Sequence, residues 1–429
     1  LQTKSKAKSK EEVAKYALKD TLTEKEKYSY IFKSGRDPQK ISLLLNLSRL
    51  YDEDPEWTSK ELMTPIMKTI PKWEMDVQVQ GATTFEKLLD KDGLANKNQF
   101  LGEITGTVLS MLEIPRDATQ ASWLEVLKKL LEVIPVHSAN KYFIPLCLKL
   151  GESSQPEHSR LISVHLVANL LSISPKDDPP KDLIDQLLFL CQDESSLVRT
   201  EICTQFGKIA GSLGEELVQT FVFDELMEMI ESPVPEVRMA AYEALVDIIT
   251  KMPPSARETK IIPAFDRFFV TDDEEEEKSE NDLLPTISRT FGRVIFELEH
   301  HLVGSEYADK WMKYYLHMAK SKVESVRTGW TYNLPAAVCC FGVEKYAAEF
   351  HPTTLAVSKD SSSTVKKHLA AGLHEIGSLL GPEQCLTLMK PVFDNLSKSD
   401  DIVVYEGFTR NCKELFLCFT PNRFEQTSG

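Results

Sequence analysis

Apolar residues recur along this chain at a spacing that predicts amphipathic helices. Val237, Ala241, Leu245 and Ile248 are separated by steps of four, four and three residues, which places them on one face of an α-helix. The other copies of this pattern are Val198, Ile202, Phe206 and Ile209; Ile287, Phe291, Ile295 and Leu298; Val326, Trp330, Leu334 and Ala337; Val365, Leu369, Leu373 and Ile376; and Val404, Phe408, Cys412 and Leu415. All 24 positions are apolar, whereas a hydrophobic content of 42% would place about ten apolar residues there by chance.

The copies of the pattern follow one another at a fixed interval. Their first positions are 39 residues apart, except that 50 residues separate Val237 from Ile287. The excess of 11 residues equals the length of the acidic run at 271–281, which lies within that interval. We therefore predict a repeat of 39–40 residues that carries one acidic loop insertion at 271–281.

Each copy of the pattern is the second helix of a predicted helix pair. A first apolar helix precedes it, as at 183–190, 223–230, 262–269 and 311–318. A single pair cannot bury its apolar face, so successive pairs are expected to stack. Alternating strand patterns are absent, so the predicted fold is all-α, an α-solenoid of about ten helix pairs. We predict a disordered or frayed arm at 1–22, the solenoid at 23–420 and a tail at 421–429.

The turns between the two helices of each pair share short polar residues. Five positions before the first apolar residue of each copy stand only aspartate or serine: Asp193, Ser232, Asp282, Ser321, Asp360 and Ser399. Such side chains accept hydrogen bonds from backbone amides at a turn or a helix start. One position after that apolar residue lie Arg199, Arg238, Arg327 and Lys366, which we expect to reach a turn aspartate or a carbonyl of the neighbouring repeat.

Charge and cysteine content narrow the class of partner and the compartment. The chain has 50 Lys and Arg against 65 Asp and Glu, a net charge of −15, which disfavours nucleic acid as a partner. The eight cysteines include no Cys-x-x-Cys pair and are predicted to be reduced, packed thiols of a cytoplasmic protein. The longest apolar run, at 334–341, is too short to cross a membrane, so we expect no membrane insertion.

Signatures of catalysis or cofactor binding are missing from the sequence. It contains no Gly-rich phosphate loop, no His-Glu-x-x-His motif and no Gly-x-Ser-x-Gly motif. Glu297 and His301 are four residues apart and could share a metal ion, but with His300 they are more typical of a solvated helix end. We predict no enzymatic activity, no cofactor and no metal.

The turn Asp or Ser, the following Val-Arg and the small residues of the second helix resemble the HEAT repeat. Segments at 190–199, 237–246 and 325–336 are similar to the family of protein phosphatase 4 regulatory subunit 4, which is grouped with the scaffold A subunit of protein phosphatase 2A. The run Tyr-Asn-Leu-Pro-Ala at 332–336 is the most specific of these resemblances. The acidic run at 272–277 and the absence of a long C-terminal portion depart from the family, so we expect a truncated chain or a short relative.

The resemblance implies a non-catalytic scaffold that binds a metal-dependent Ser/Thr phosphatase catalytic subunit, of the phosphatase 4 or 2A type, and positions it on targets. The contact surface would be the ridge of intra-repeat turns, and a further targeting or substrate protein would use the remaining surface. The predicted ridge residues are Asp193, Glu194, Ser232, Glu236, Ser321, Lys322, Glu324, Lys359 and Asp360. The alternative is a HEAT-repeat adaptor for transport or for cytoskeletal or axonemal assembly, which holds basic cargo with its acidic insertion.

Overall fold

The computed structural model describes residues 22–91, 97–113, 117–269 and 283–419. All regular secondary structure in these ranges is helical. The chain divides into two units, Leu1–Glu201 and Ile202–Gly429, and one helix, Ser196–Ser212, spans the division. The predicted acidic insertion and C-terminal tail, and the predicted N-terminal arm apart from Leu22, lie outside the described residues.

The first unit contains helix pairs at the predicted spacing. Its helices are α1 (Glu24–Ser34), α2 (Asp37–Glu53), α3 (Pro55–Thr58), α4 (Thr64–Thr69), α5 (Met75–Leu89), α6 (Lys97–Glu113), α7 (Asp117–Val133), α8 (Val136–Leu150), α9 (Glu157–Ile173), α10 (Lys181–Cys191) and the start of α11 (Ser196–Ser212). A π-helical turn, Ser59–Met63, joins α3 to α4, and a 3-10 turn, Ile70–Lys72, follows α4. Thr23 begins α1 with a reciprocal capping box that it shares with Glu26.

The second unit continues the same alternation of first and second helices. After α11 come α12 (Glu215–Leu217), α13 (Phe223–Ile230), α14 (Pro235–Ile248), α15 (Pro254–Ala256), α16 (Ile262–Asp266), α17 (Leu284–Glu297), α18 (Glu299–Leu302), α19 (Glu306–Met318), α20 (Glu324–Phe341), α21 (Val343–Lys345), α22 (His351–Val357), α23 (Ser363–Leu380), α24 (Pro382–Gln384), α25 (Lys390–Leu396), α26 (Ile402–Thr409) and α27 (Cys412–Phe419). When interrupted helices are counted as one, the described residues form ten pairs. The predicted all-α solenoid is confirmed.

Several first helices are interrupted at the same place by a π-helical turn. These turns are Ser59–Met63, Val218–Val222, Arg257–Ile261, Tyr346–Phe350 and Cys385–Met389. Four of them lead into a helix whose second residue is proline, at Pro65, Pro263, Pro352 and Pro391. Proline has no N–H and its ring clashes with the carbonyl four residues earlier, and a widened turn removes that clash. The turn at Val218–Val222 has the same form, although Asp224 occupies the proline position.

The repeated apolar pattern forms the core of both units. Of its 24 positions, 22 are buried, and Val237, Ala241, Leu245 and Ile248 are each 0% exposed. Burial of a side chain the size of leucine stabilises the folded state by about 1.5–3 kcal/mol. The buried residues of the pattern therefore stabilise each repeat, and this stabilisation requires the neighbouring repeats that cover them.

The last copy of the pattern departs from the prediction. Phe408 is half-buried and Cys412 is exposed, whereas Val404 and Leu415 are buried. The second helix of this repeat is broken, because α26 ends at Thr409 and α27 begins at Cys412. The break interrupts the spacing of 3.6 residues per turn, so the prediction that Cys412 faces the core is wrong.

Aromatic side chains join successive repeats in the second unit. Phe269 lies edge-on to Trp311 of α19, with ring centroids 4.8 Å apart. Tyr315 of α19 stacks on Phe291 at 4.9 Å and on Trp330 at 5.5 Å. Because large rings bury much apolar area and tolerate little rearrangement, this cluster fixes α17, α19 and α20 against one another.

Candidate functional site

The turns between first and second helices have the predicted hydrogen bonds. In each, the turn Asp or Ser accepts a bond from the backbone N–H two residues later. The donors are Ser195 to Asp193 (2.8 Å), Val234 to Ser232 (3.3 Å), Val323 to Ser321 (3.2 Å), Ser362 to Asp360 (2.8 Å) and Asp401 to Ser399 (3.4 Å). The sixth predicted turn residue, Asp282, lies outside the described residues. These bonds hold each turn in one conformation.

The arginines that follow three of the turns, Arg199, Arg238 and Arg327, each bind a carbonyl of their own turn. Nη1 of Arg238 donates to Ser232 O at 2.7 Å, and Nη1 of Arg327 donates to Ser321 O at 2.9 Å. Arg199 donates in the same way to Asp193 O at 2.5 Å. The carbonyl that each arginine binds lies six residues earlier in its own repeat, whereas the carbonyl that we expected belongs to the neighbouring repeat.

Arg327 reaches an aspartate of the next repeat, as predicted, and so does Arg160, for which no partner was predicted. Arg160 binds Asp193 through Nε at 2.7 Å and Nη2 at 3.0 Å, and Arg327 binds Asp360 at 2.7 and 3.1 Å. These hydrogen bonds raise the pKa of both guanidinium groups above the usual value. Burial alone would raise the pKa of Asp360, but hydrogen bonds from Arg327 and from the Ser362 N–H outweigh it, so the pKa lies below its usual value.

The structure separates the nine predicted ridge residues into two groups. Asp193 and Ser321 are buried, and Ser232 and Asp360 are half-buried, all with the hydrogen bonds given above. Glu194, Glu236, Lys322, Glu324 and Lys359 are exposed. The first group shapes the turns, and the second group carries the fully exposed charges.

Charged residues on the second helices form a ladder that sequence reasoning missed. Arg293 of α17 pairs with Asp247 of α14 at 2.5 Å, and Arg289 pairs with Glu243 on the same two helices. Farther on, Lys367 of α23 pairs with Glu406 of α26 at 2.7 Å. The partners of the last pair are 39 residues apart, which is the repeat length, and those of the first two pairs are 46 residues apart, four fewer than the 50-residue interval between their repeats. The spacing of the repeats, shifted by one helical turn where needed, was therefore the signal that could have found them.

A second feature that sequence reasoning missed is the close contact between α17 and α20. Nδ2 of Asn333 donates to Ser288 O at 2.6 Å and to Gly329 O at 2.8 Å. Oγ of Ser288 donates to Val326 O at 2.6 Å. A Cβ on Gly329 would lie 2.8 Å from the Ser288 carbonyl carbon, so only glycine allows this approach. Asn333, part of the Tyr-Asn-Leu-Pro-Ala run, therefore has a structural role between repeats.

The residues considered for a metal site lie at a helix end. His300 is exposed and Glu297 and His301 are half-buried, at the junction of α17 and α18. Within the described ranges, no group of three or more potential metal ligands occurs. None of the helices described is both long and apolar enough to cross a membrane.

The geometry of these turns and helix pairs defines the class of protein, an α-solenoid of HEAT-type repeats. The protein-family model for the HEAT repeat matches residues 222–252, which include α13 and α14. The chain is similar to serine/threonine-protein phosphatase 4 regulatory subunit 4 of Homo sapiens, with 24% identity over 394 residues that cover 87% of this chain and 45% of that protein. The corresponding protein of Mus musculus is 23% identical, with 87% and 44% covered. The resemblance seen in the sequence is confirmed, and the chain spans less than half the length of these relatives.

The solved structures with the same fold include those of the karyopherin Kap121p. Kap121p matches with a TM-score of 0.63 and 15% identity, covering 90% of this chain and 42% of that protein. Kap121p bound to the extreme C-terminus of the protein phosphatase Cdc14p matches with a TM-score of 0.55 and 14% identity, covering 93% and 47%. At this level of identity the likeness concerns the fold alone.

Proposed function

We propose that this chain is a non-catalytic regulatory subunit that binds a Ser/Thr protein phosphatase catalytic subunit, of the phosphatase 4 or 2A type, and positions it on targets. The observation that carries the proposal is the similarity to phosphatase 4 regulatory subunit 4 over 394 residues, which extends across the repeats. The likeness to Kap121p concerns the fold and favours no cargo in particular.

The mechanism that we propose is geometric. The turns are fixed by hydrogen bonds and ion pairs before any partner arrives, so a partner that docks there pays little entropy for ordering the surface. The contact residues would be the exposed members of the ridge, Glu194, Glu236, Lys322, Glu324 and Lys359. A catalytic subunit and a target held by one array are present at high effective concentration, and this gain requires no catalytic group from the array.

Affinity purification with a charge-reversal variant tests the ridge. The variant reverses the charge of three exposed turn residues, with Glu194→Lys, Glu236→Lys and Glu324→Lys. We expect it to recover about tenfold less phosphatase than the wild type, which corresponds to a loss of about 1.4 kcal/mol of binding free energy. The matched control carries Asp185→Lys, Glu216→Lys and Glu258→Lys, which change the net charge equally at exposed positions of first helices. Equal recovery with both variants would exclude the ridge as the contact surface, provided that both unfold at the wild-type temperature.

A further inference from the structure

Three lysines occupy identical positions in successive turns of the second unit. Lys320, Lys359 and Lys398 are each 39 residues apart, and each directly precedes the turn residue Ser321, Asp360 or Ser399. All three are exposed, and exposed Lys322 lies beside the first. The same position in earlier turns holds Gln192 and Glu231, so the lysine column, defined as Lys320, Lys359 and Lys398, belongs to the last three repeats.

The three turns that carry the lysine column are joined to one another. Arg327 donates to Ser321 O of the first turn and to the Asp360 carboxylate of the second. Ser363 Oγ donates to Asp401 at the start of the third repeat's second helix. The lysines therefore lie along one continuous edge.

The lysine column is left without charged partners among the residues that the structure describes. In the ranges that the structure describes, no ion pair involves Lys320, Lys359 or Lys398, whereas Lys310, Lys345 and Lys367 of the same unit are all paired. The carboxylate of Asp360 does not neutralise Lys359, because it is turned inward to Arg327 and to the Ser362 N–H.

Acidic residues on the same edge are fewer than the cations. Asp401 accepts bonds from Ser363 Oγ and from the Val403 N–H, so the exposed acids in the described turn segments 320–324, 359–363 and 398–401 are Glu324 and Asp400. Four exposed lysines, with Lys322 included, therefore face two exposed carboxylates. Although the chain as a whole carries a net charge of −15, this edge is locally basic.

We propose that the lysine column binds an extended acidic segment of a partner protein, with one carboxylate opposite each repeat. Packed helices lie about 8–10 Å apart and an extended chain rises about 3.3 Å per residue, so carboxylates at every third residue match the repeat. The inference rests on the proposed function for treating the ridge as a partner surface. A peptide fits better than nucleic acid, because a duplex spaces its charges every ~1.7 Å, much closer than the spacing of the repeats.

The test uses two labelled peptides with the same number of glutamates. One repeats Glu-Gly-Ser four times, and the other places its four glutamates together. Fluorescence anisotropy with the whole chain should show tighter binding of the periodic peptide, weaker at raised salt because the contacts are exposed. Each single change Lys320→Gln, Lys359→Gln or Lys398→Gln should weaken binding about two- to fivefold, and the triple variant about tenfold or more.

The control variant carries Lys251→Gln, Lys313→Gln and Lys413→Gln, which remove the same charge at other exposed positions of the second unit. It should bind the periodic peptide as the wild type does. Equal loss in the two triple variants, equal binding of the two peptides, or tighter binding of a single-stranded oligonucleotide would each overturn the proposal. So would a large gain in affinity on removal of residues 271–281, because the chain's own acidic insertion would then be the occupant.

The peptide measurement and the phosphatase measurement have independent outcomes. Failure of the wild-type chain to recover any phosphatase catalytic subunit refutes the proposed function and leaves the peptide result intact. Failure of the periodic peptide to bind refutes the lysine column as an acidic-segment site, whether or not a phosphatase is recovered.

Discussion

Arg327 of one repeat and Asp360 of the next form a bidentate ion pair, with Nε 2.7 Å from Oδ2 and Nη2 3.1 Å from Oδ1. The same guanidinium group donates to Ser321 O, so one side chain connects two successive turns. The two side chains are only 15% and 9% exposed. In such a position the attraction between the charges is weakly screened, and loss of either partner leaves the other charge buried and unpaired.

We expect Arg327→Ala to lower the free energy of unfolding of the second unit by about 3 kcal/mol or more, because Asp360 loses its partner. The measurement is urea unfolding followed by circular dichroism. Arg267→Ala is the matched control, since Arg267 and Glu231 form a pair at 2.8 Å whose side chains are 60% and 64% exposed. Its expected cost is below about 1 kcal/mol. Similar costs for the two variants would show that the turn-to-turn pair adds no more than a surface contact.

The stability that the Arg327–Asp360 ion pair contributes depends on pH through the protonation of Asp360. Its folded pKa lies below the usual value of 3.8, so the unfolded chain binds the proton first as pH falls. The contribution is complete above about pH 4 and is lost as pH falls from there through the lower folded pKa. We expect the stability of the second unit to fall less steeply below about pH 4 in Asp360→Asn than in the wild type. Urea unfolding at a series of pH values measures both slopes, and identical slopes would contradict the assignment. Asp401, whose pKa is also lowered by a Ser363 bond, retains its share in both proteins.

The sequence predicts what depends on local chain geometry. The burial of Leu245 and its counterparts follows from helical spacing, and the bonds to Asp193 and Ser321 follow from the reach of a short side chain across two residues. The partner of Arg327 was predicted only as a type of group. The identity of a polar residue in a turn does not predict its role. The side chain can make hydrogen bonds that shape the turn, as that of Asp360 does, or be exposed to solvent, as that of Lys359 is.

Features that depend on the distance between helices could not be predicted in this way. No pattern along the sequence predicts that α17 and α20 lie close enough for Asn333 to donate a hydrogen bond to Ser288 O. The break before Cys412 also has no signal, because Arg410 and Asn411 include neither proline nor glycine. The first feature depends on packing across repeats rather than on local preference.

The close approach of α17 and α20 can be tested with one methyl group. A Cβ on Gly329 would lie 2.8 and 2.9 Å from the Ser288 carbonyl carbon and oxygen, which are backbone atoms that cannot turn away. We expect Gly329→Ala to destabilise the second unit by about 1–3 kcal/mol. Gly102→Ala is the control, because a Cβ there meets no atom within 4 Å, and its helical position favours alanine by about 0.5–1 kcal/mol. The midpoint temperature of thermal unfolding should therefore fall in Gly329→Ala and rise in Gly102→Ala. A rise in Gly329→Ala would disprove the close contact.

The π-helical turns allow a last prediction about where this array accepts proline. Asp224 occupies the position that proline fills in four other first helices, and the preceding turn, Val218–Val222, is already widened. The ring of a proline at this position therefore meets no carbonyl four residues earlier at clashing distance. We expect Asp224→Pro to cost less than about 1 kcal/mol, which includes the loss of an exposed contact to Lys260.

The control for this substitution is Glu228→Pro in the same helix, α13. Glu228 is exposed, so its side chain adds little, but a proline there removes an intrahelical bond and clashes with the preceding turn. Its expected cost is about 3 kcal/mol or more. Urea unfolding gives both free energies, and hydrogen exchange of the amides in α13 reports whether the helix itself persists. If Asp224→Pro costs as much as Glu228→Pro, the widened turn is not the feature that accommodates proline, and the four natural prolines must be tolerated for a reason that lies in their own repeats.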